Sequence, residues 1–395
     1  MQSFTYFVPT QVLFGRGTET QAGEAVRAEG GSRVLVICGG GSARRSGLLD
    51  RVTRSLEAAG LTWFLREGVR PNPTLEFVEE TIRQYRDQKI DFLLAVGGGS
   101  VLDTAKAVGL GLRDPEGRVW DFFTAKRDPA DTVPMGSILT IAAAGSETSD
   151  SAVITNEATR EKRGRNTPLN RPRFAIMDPE LTYTLPAWQT ACGAADILMH
   201  TLDRYFSNVP GNETTDALAE ALLRTVVRFA PAALERPDDY EARSELMWCG
   251  SLSHNDLTGL GRGKDFSVHQ LGHELSGRYG IAHGASLTIM WPAWARRVRA
   301  TDPDRFARLG RTVFGVTESE AEAASLACIG AVEDFFRSLG LPVDLGSSEI
   351  GVLPQAELEA LALGCSRGRS RAIGTFCPLD HQGILEVYQD ANRGK

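Results

Sequence analysis

The sequence predicts two domains, an α/β domain over residues 1–185 and an all-helical domain over residues 186–395. The chain has 395 residues, which exceeds the size at which a single hydrophobic core keeps growing. In the first half, strand-like and helix-like runs alternate, as they do where helices cover a parallel sheet. From Pro186 onward long helical runs dominate instead, so we place the domain boundary at this change of pattern.

The hydrophobic period identifies the individual elements. Short apolar runs predict strands at 33–38, 61–65 and 92–96, and amphipathic spacing predicts helices at 48–59 and 74–88. In the second domain, helical spacing of apolar residues predicts helices at 186–206, 213–233, 239–260, 265–276, 284–298, 318–339 and 355–364.

Two glycine-rich turns follow apolar strands, GGGS at 39–42 and GGGS at 97–100. Such a turn lets backbone amides approach a phosphate, and the N-terminus of the next helix adds aligned N–H groups. The second turn leads into an apolar helix start and is the better pyrophosphate candidate. Neither turn matches GxGxxG in full, and each alone is also compatible with a plain tight turn. Two of them in successive strand-helix units favour a Rossmann-like dinucleotide site.

The residues after the first strand bear on the choice of cofactor. An acidic residue there holds the ribose 2′-hydroxyl of NAD, whereas an arginine accommodates the 2′-phosphate of NADP. This chain has Ser42, Arg44 and Arg45 and no carboxylate between residues 39 and 45. We therefore predict NADP rather than NAD, the alternative being that the two arginines are a solvated helix start.

Four of the six histidines fall in a pattern typical of a metal site. Asp196 and His200 are four residues apart on one predicted helix, as are His269 and His273 on another, so each pair shares a helix face. His283 follows two glycines, which allow the chain to turn His283 back toward His269 and His273. A carboxylate and three imidazoles suit Zn or Fe(II). One histidine is surplus to such a shell and is available for chemistry. Spacing alone leaves open a chance match.

Composition excludes several other classes of function. The chain carries 43 Lys and Arg against 50 Asp and Glu, so we expect no nucleic-acid partner. It lacks a signal-peptide core and an apolar run of the length that crosses a bilayer. Its six cysteines form no CxxC pair, which fits a reducing compartment. We expect a soluble, cytoplasmic protein that does not bind membranes.

A set of motifs runs nearly from end to end of the chain. They are FTYFVPT at 4–10, FGRG at 14–17, PNP at 71–73, GGGSVLD at 97–103, AGSE at 144–147, Asp196 with His200, HQLGHEL at 269–275, His283, and Pro378-Leu379. In these motifs the chain resembles the iron-containing (group III) alcohol dehydrogenases, within them the branch of butanol dehydrogenases and NADPH-dependent aldehyde reductases. The resemblance implies the dehydroquinate synthase-like fold of that family and a homodimer.

The resemblance also implies roles for individual residues. Asp196, His200, His269 and His283 are implied as ligands of one Fe(II) or Zn(II) ion, with His273 as the catalytic histidine near the substrate. The implied cofactor contacts are Gly40, Ser42, Asn72, Gly98, Gly99, Ser100, Asp103, Thr140, Ser149 and Lys162.

Two of these assignments have alternatives, and two segments depart from the family pattern. Asp103 and the nearby Lys106 could contact the cofactor directly. Equally, Asp103 could be an acid at a helix start and Lys106 a surface lysine. The segment 143–150 replaces a more usual ATGSE sequence, which puts the contacts of Ser149 in doubt. His254 and Asn255 add polarity where relatives are more apolar, so substrate preference is not inherited from the family.

The expected reaction is reversible hydride transfer between NAD(P)H and an aldehyde or primary alcohol in the cleft between the domains, with the metal ion as Lewis acid. One rival is a lyase of the dehydroquinate-synthase type. That class needs several basic residues for its substrate, whereas residues 246–292 offer only Arg262, Lys264 and Arg278. The other rival is a catalytically silent protein that binds metal or nucleotide.

Overall fold

The computed structural model describes residues 1–394, which divide into two compact units. One unit comprises residues 7–184, and the other comprises residues 1–6 together with the chain from residue 185 onward. The first six residues, which the sequence analysis assigns to the α/β domain, thus group with the helical unit. The Gln2 amide donates to the carbonyl of Gly261 (2.8 Å), and the terminal ammonium donates to the carbonyl of Pro210 (3.1 Å). No periodicity in a six-residue extended segment indicates such long-range bonds.

The α/β unit is built on a six-stranded parallel sheet with the order β1-β8-β5-β4-β2-β3. Its elements, with the small hairpin β6–β7, are β1 Gln11–Phe14, α1 Ala22–Ala28, β2 Arg33–Gly39, α2 Ser42–Arg45, α3 Leu48–Ala58, β3 Thr62–Val69, α4 Leu75–Tyr85, β4 Phe92–Gly97, α5 Gly99–Arg113, α6 Trp120–Phe123, β5 Met135–Leu139, β6 Ser151–Asn156, β7 Glu161–Asn166 and β8 Phe174–Met177. The predicted Rossmann-like architecture is confirmed.

The central strands are apolar throughout because both faces of the sheet are covered. All six residues of β4 are buried, and so are the five interior residues of β2. Side chains of these strands alternate between two hydrophobic clusters, one on each face of the sheet. Both glycine-rich turns therefore emerge at the carboxyl edge of a rigid sheet, where open α/β sheets bind their ligands.

The antiparallel hairpin β6–β7 is an element that the sequence analysis did not predict. β6 alternates half-buried and buried residues, which is the period of a strand with one covered face. The Thr155 amide donates to the carbonyl of Pro73 (2.8 Å), so the hairpin is joined to the loop that carries Asn72.

The second unit is helical, as predicted, and within residues 1–394 its β structure is one bridge, between Ile373 and Leu379. Its helices are α7 Ala187–Tyr205, α8 Glu213–Glu235, α9 Tyr240–His254, α10 Ser267–Tyr279, α11 His283–Val298, α12 Pro303–Val313, α13 Ala321–Ser338, α14 Gln355–Cys365 and α15 His381–Ala391. Across the described chain, no helix has both the length and the apolar content that a membrane span requires.

Three helices of this unit differ from the prediction. α12 and α15 were not predicted, although Asp302 and Asp380 cap their first turns, accepting bonds from the amides of Arg305 and Gly383. The helix predicted over 239–260 ends at His254, because Asp256 has a left-handed backbone (φ 77°) that no helix continues through.

Glycines allow the three helices that carry the predicted metal ligands to approach one another closely. A Cβ at Gly284, the second residue of α11, would lie 2.1 Å from the carbonyl oxygen of Cys192 in α7. A Cβ at Gly272 in α10 would lie 2.8 Å from the hydroxyl of Ser286 in α11. Larger residues at these two positions would separate the helices. The glycine of HQLGHEL thus serves the packing that brings the histidines together.

Candidate metal centre and cofactor site

The predicted metal ligands converge on one carboxylate oxygen. Oδ1 of Asp196 lies 3.5 Å from Nε2 of His200, 3.7 Å from Nε2 of His269 and 3.7 Å from Nε2 of His283. Asp196 and His200 lie one turn apart on α7, His269 lies in the first turn of α10, and His283 begins α11. The side chains of the first three are 5–6% exposed, whereas that of His283 is 25% exposed.

The arrangement of these atoms fits a bound ion. Oδ1 of Asp196 and Nε2 of His269 are buried and have no hydrogen-bond partner within residues 1–394, although buried polar atoms are normally paired. One ligand atom from each of Asp196, His200 and His269 lies within 4.8 Å of the others. Two ligands of a tetrahedral ion with bonds of about 2.1 Å stand roughly 3.4 Å apart. The distances to Oδ1 of Asp196 are close to this separation.

The protonation of the imidazoles also bears on this fit. Burial and the neighbouring histidines hold the pKa of His200 well below its usual range, so this ring is neutral, as a metal ligand must be. Burial alone would lower the pKa of His269, but the carboxylates of Asp203 and Asp196 raise it to about 9. The negative charge that favours a proton on His269 equally favours a divalent cation at this position.

Asp203 is a site residue that the sequence analysis missed. It lies on α7, seven residues after Asp196, and its Oδ2 is 2.5 Å from Nδ1 of His269. Its side chain is 1% exposed. The spacing of Asp196, His200 and Asp203 on one helix face was a signal available in the sequence.

His273 flanks the cluster without joining it. Its ring centroid lies 5.2 Å from that of His283 and 6.4 Å from that of His269, with the ring planes of His273 and His269 at 87°. It is half-buried and lies one turn after His269 on α10. The structure therefore brings five predicted residues together: Asp196, the three histidines around its Oδ1, and His273 beside them.

Further aromatic rings pack against the predicted ligands. His254, the last residue of α9, stacks on His200 with centroids 4.0 Å apart and 23° between the planes. Phe266 meets both His200 and His269 edge to face, at 6.2 and 5.3 Å. Phe266 has φ 56°, which is a strained backbone for an aromatic residue, and such strain clusters at functional sites. Buried Arg204 lies 4.9 Å over the Phe266 ring and donates to the carbonyl of His200.

The glycine-rich turns in the α/β unit have open space where a phosphate is expected. A Cβ at Gly40 would meet no atom within 4 Å, and one at Gly99 would meet only Ala144 at 4.0 Å. Packing does not require glycine at these positions, so the space is available to a ligand. By contrast, a Cβ at Gly98 would strike Ile141 at 2.3 Å. Gly98 caps α5, and Gly99 and Ser100 form its first turn, whose amides face the carboxyl edge of β4.

Asp103 and Lys106 are engaged inside the unit rather than at a free surface. The carboxylate of Asp103 accepts from the Ser146 hydroxyl (2.8 Å) and from the Val153 amide (3.0 Å). Lys106 is 2% exposed and donates to the carbonyls of Ser146 (2.7 Å), Ser149 (3.2 Å) and Ser151 (2.7 Å). The interpretation of Lys106 as a surface lysine is wrong. Both residues fasten the segment 146–153.

The remaining predicted cofactor residues lie at the ends of strands and in the hairpin. Lys162 of β7 donates to Oδ1 of Asn72 (2.9 Å), and Asn72 has φ 55°. Thr140 follows β5, and its amide donates to the carbonyl of Gly97 (3.1 Å). Ser149 is fully buried, and its hydroxyl accepts from the Ser151 amide (3.2 Å). Ser149 is thereby placed within the turn that Lys106 fastens.

The neighbouring strand β3 supplies a carboxylate at the first glycine turn. Arg44 forms a bidentate pair with Glu67, with Nε 3.2 Å from Oε1 and Nη2 2.8 Å from Oε2. The sequence analysis found no acid there because it considered only the residues that follow β2. Ser42 and Arg45 are exposed beside this pair.

Comparison with known proteins places these observations in a family. Residues 9–179 match the family described as iron-containing alcohol dehydrogenase, and residues 190–392 match the C-terminal domain of the Fe-containing alcohol dehydrogenase family. The two matched ranges contain both the glycine-rich turns and the histidine cluster.

Individual relatives match over almost the whole chain. The NADH-dependent butanol dehydrogenase A of Clostridium acetobutylicum is 38% identical over 98% of this chain and 99% of its own length. The NADPH-dependent aldehyde reductase YqhD of Escherichia coli is 35% identical over 87% of this chain and 89% of its own. The crystal structure of NADH-dependent butanol dehydrogenase A from Thermotoga maritima superposes with a TM-score of 0.95 at 35% identity, covering 100% of this chain and 99% of that one.

Proposed function

Because the chain belongs to the iron-containing alcohol dehydrogenase family, we propose that it reduces small aldehydes to primary alcohols with NADPH at one divalent metal ion held by Asp196, His200, His269 and His283. As a family member it is an NAD(P)-dependent oxidoreductase acting on the CH–OH group of alcohols. The observation that carries the proposed metal role is the pair of buried atoms without partners, Oδ1 of Asp196 and Nε2 of His269. Three imidazoles and one carboxylate suit Fe(II) or Zn(II).

In the proposed reaction the protein contributes charge, alignment and a proton path. When bound, the cofactor supplies the hydride and the divalent ion polarises the carbonyl oxygen. The buried carboxylate of Asp196 and the three imidazoles would hold the ion that supplies this positive charge. His273 lies beside this cluster and is half-buried, so we assign it the transfer of the proton between the substrate oxygen and solvent.

The lyase alternative needs basic side chains that are available to a charged substrate. In the structure, Arg262 binds Asp216 (2.5 Å), Lys264 pairs with Asp256, and Arg278 binds Glu357 (2.8 Å). All three basic residues counted for that alternative are thus engaged by carboxylates of the same unit. This supports hydride transfer over a reaction on a phosphorylated or carboxylated substrate.

The test of the proposed function is stopped-flow NADPH oxidation with a panel of small aldehydes, using protein loaded with Fe(II) or Zn(II) in parallel. We expect burst or steady-state oxidation that depends on both metal and aldehyde. A silent protein would bind NADPH without oxidising it, and a lyase would consume its substrate without net change in NADPH. Metal analysis of protein purified without chelator identifies the ion present in the cell.

We propose NADPH as the preferred cofactor on the basis of Ser42, Arg44 and Arg45. Among the relatives, the butanol dehydrogenases are described as NADH-dependent and the aldehyde reductase as NADPH-dependent, so the names differ on this point. Glu67 competes with a 2′-phosphate for Arg44 and repels it. The preference for NADPH should therefore be moderate rather than absolute.

Replacing Glu67 with glutamine is expected to raise the ratio of kcat/KM for NADPH over NADH by a few-fold. The change removes one negative charge and frees Arg44, and the effect is small because exposed charge pairs are screened by solvent. Ser42→Asp is the opposing variant and should erase or reverse the preference by repelling the 2′-phosphate. Steady-state kinetics with both cofactors measures the ratios. Equal efficiency of the unmodified protein with NADH and NADPH would contradict the assignment.

Replacing His273 with alanine should leave bound metal unchanged while kcat falls, by about 10²–10⁴ if the residue transfers a proton. The reason is that its ring lies beside the proposed ligands, 5.2 Å from the ring of His283 and 6.4 Å from that of His269. Metal content and kcat measured on the same preparation test this. Loss of metal would make His273 a ligand, and full activity would make it a packing residue.

We further propose a homodimer in the cytoplasm. β1 is an edge strand that pairs only with β8 among the described strands, and unpaired edges and exposed apolar side chains favour association. Exposed large apolar residues are frequent near the N-terminus: Met1, Phe4, Tyr6, Phe7 and Phe14. All six cysteines are free, and five of them are buried, which supports a reducing compartment. Light scattering tests the dimer.

A further inference from the structure

The contact between Asp203 and His269 carries an inference about how the metal centre is built, and it rests on the proposed metal role of His269. Oδ2 of Asp203 lies 2.5 Å from Nδ1 of His269, and Nε2 of the same ring faces Oδ1 of Asp196 at 3.7 Å. The two side chains are 1% and 6% exposed. Water therefore does not compete for either ring nitrogen.

The chemistry of this contact fixes which nitrogen of His269 carries a proton. An ionised carboxylate only accepts hydrogen bonds, so Nδ1 must donate to Asp203. The lone pair of a neutral ring is then on Nε2, toward Asp196. Carboxylates that bind the distal N–H of a metal-ligating histidine set its tautomer and orientation and raise its basicity.

Asp203 is itself held in place from the start of α10. Its carbonyl accepts from the Asp265 amide (2.8 Å). The Asp265 carboxylate in turn accepts from the amides of Ser267 (3.0 Å), Thr375 (2.8 Å) and Phe376 (2.8 Å). These hydrogen bonds through Asp265 link α7 to the first turn of α10. They thus fix both the carboxylate of Asp203 and the His269 ring that it orients.

We propose that Asp203 is a positioning residue of the metal centre, which holds His269 with Nδ1 protonated and so presents Nε2 to the ion. It binds no substrate and no metal. Asp203 favours metal binding because the correct tautomer and orientation of the buried ring are already set before the ion binds.

Asp203→Asn tests this assignment with almost no change in shape. An asparagine amide that donates to Nδ1 stabilises the other tautomer, in which Nε2 is protonated and cannot bind metal. We expect the affinity for Zn(II), measured by chelator competition on the apoprotein without cofactor or substrate, to fall by about 10–100-fold. An affinity equal to that of the unmodified protein would overturn the proposal.

Asp216→Asn is the matched control for general destabilisation. Asp216 is a buried carboxylate of the same unit, and the partners of its side chain are arginines, among them Arg262 (2.5 Å) and Arg305 (2.6 Å). We expect its variant to unfold at lower temperature yet to bind Zn(II) as tightly as the unmodified protein. If Asp216→Asn weakens Zn(II) binding as much as Asp203→Asn does, Asp203 acts through stability alone and the proposal fails.

A spectroscopic measurement on the unmodified protein does not depend on whether the variant folds. In the Zn(II)-loaded protein, the ¹⁵N spectrum of the imidazoles should show His269 with a proton on Nδ1, strongly shifted downfield by its hydrogen bond to a carboxylate. A His269 ring metallated at Nδ1, or one whose Nδ1 proton lacks this shift, would overturn the assignment. Both experiments omit aldehyde and NADPH, so failure of the proposed reaction would leave their outcome readable.

Discussion

His269→Ala is expected to abolish metal binding and NADPH oxidation together. His269 is the proposed ligand whose Nε2 is buried without a hydrogen-bond partner in the described chain, 3.7 Å from Oδ1 of Asp196. Its loss removes one donor of the proposed four and also leaves Asp203 buried without its partner. The loss of affinity should exceed the roughly 10–100-fold effect of losing a group that only orients a ligand.

Metal analysis after gel filtration and titration with Zn(II) measure the first effect, and aldehyde-dependent NADPH oxidation measures the second. NADPH binding, followed by fluorescence, is the control. The glycine-rich turns belong to residues 7–184 and His269 to the other compact unit, so we expect the cofactor to bind with nearly unchanged affinity. Full metal occupancy in His269→Ala would disprove the ligand assignment.

His283→Ala, a change at another of the four proposed ligands, is expected to weaken metal binding less than His269→Ala does. Its side chain is 25% exposed, against 6% for His269, so a water molecule can replace the lost imidazole more readily. Weaker but measurable Zn(II) binding by His283→Ala, with none by His269→Ala, would agree with the difference in burial.

Local spacing was enough to predict the elements that carry the site. Asp196 and His200 lie one turn apart on α7, and His269 and His273 lie one turn apart on α10, as the intervals of four residues required. The strand-turn-helix units at both GGGS sequences follow from the apolar runs that precede them. The resemblance to a known family supplied the choice of His283 over His273 as a ligand, which spacing left open.

Long-range partners could not be predicted in this way. Asp203 meets His269 across 66 residues, and Glu67 meets Arg44 across 23, and neither distance leaves a periodic trace in a single sequence. Gly284 illustrates the same limit, because its role depends on the carbonyl of Cys192 in another helix. A pattern predicts which residues share a face but not what that face packs against.

The burial of a polar residue in α5 could not be predicted from its sequence context. Lys106 lies in a largely apolar helix, and the sequence analysis treated a surface lysine as an equal alternative to a cofactor contact. The structure buries it because the segment 146–151 folds over α5 and directs backbone carbonyls at the ammonium group. A turn of this kind has no hydrophobic period, so the positions of its carbonyls cannot be predicted from the sequence pattern.

Lys106→Met is expected to destabilise the α/β unit by about 3–5 kcal/mol, the cost of removing one partner from a buried charged group. Burial lowers the pKa of Lys106 to about 8, so the ammonium is charged at neutral pH and donates to the surrounding oxygens. Methionine fills a similar volume but donates no hydrogen bond, so the carbonyls of Ser146, Ser149 and Ser151 lose the bonds that Lys106 donates. The carboxylate of Asp103 also loses the nearby positive charge that counteracts the effect of burial on its pKa.

The consequence for function follows from what Lys106 fastens. The segment 146–151 contains Ser149, a proposed cofactor contact, so its loosening should weaken NADPH binding while Zn(II) binding in the helical unit is retained. Hydrogen exchange at the amides of 146–153 and NADPH titration measure the two effects. Lys126→Met is the matched control, because Lys126 belongs to the same unit and its side chain is 69% exposed, and such surface changes alter stability by only about 0.5 kcal/mol. Normal protection of 146–153 in Lys106→Met would show that Asp103 alone fastens the turn, through Ser146 and Val153.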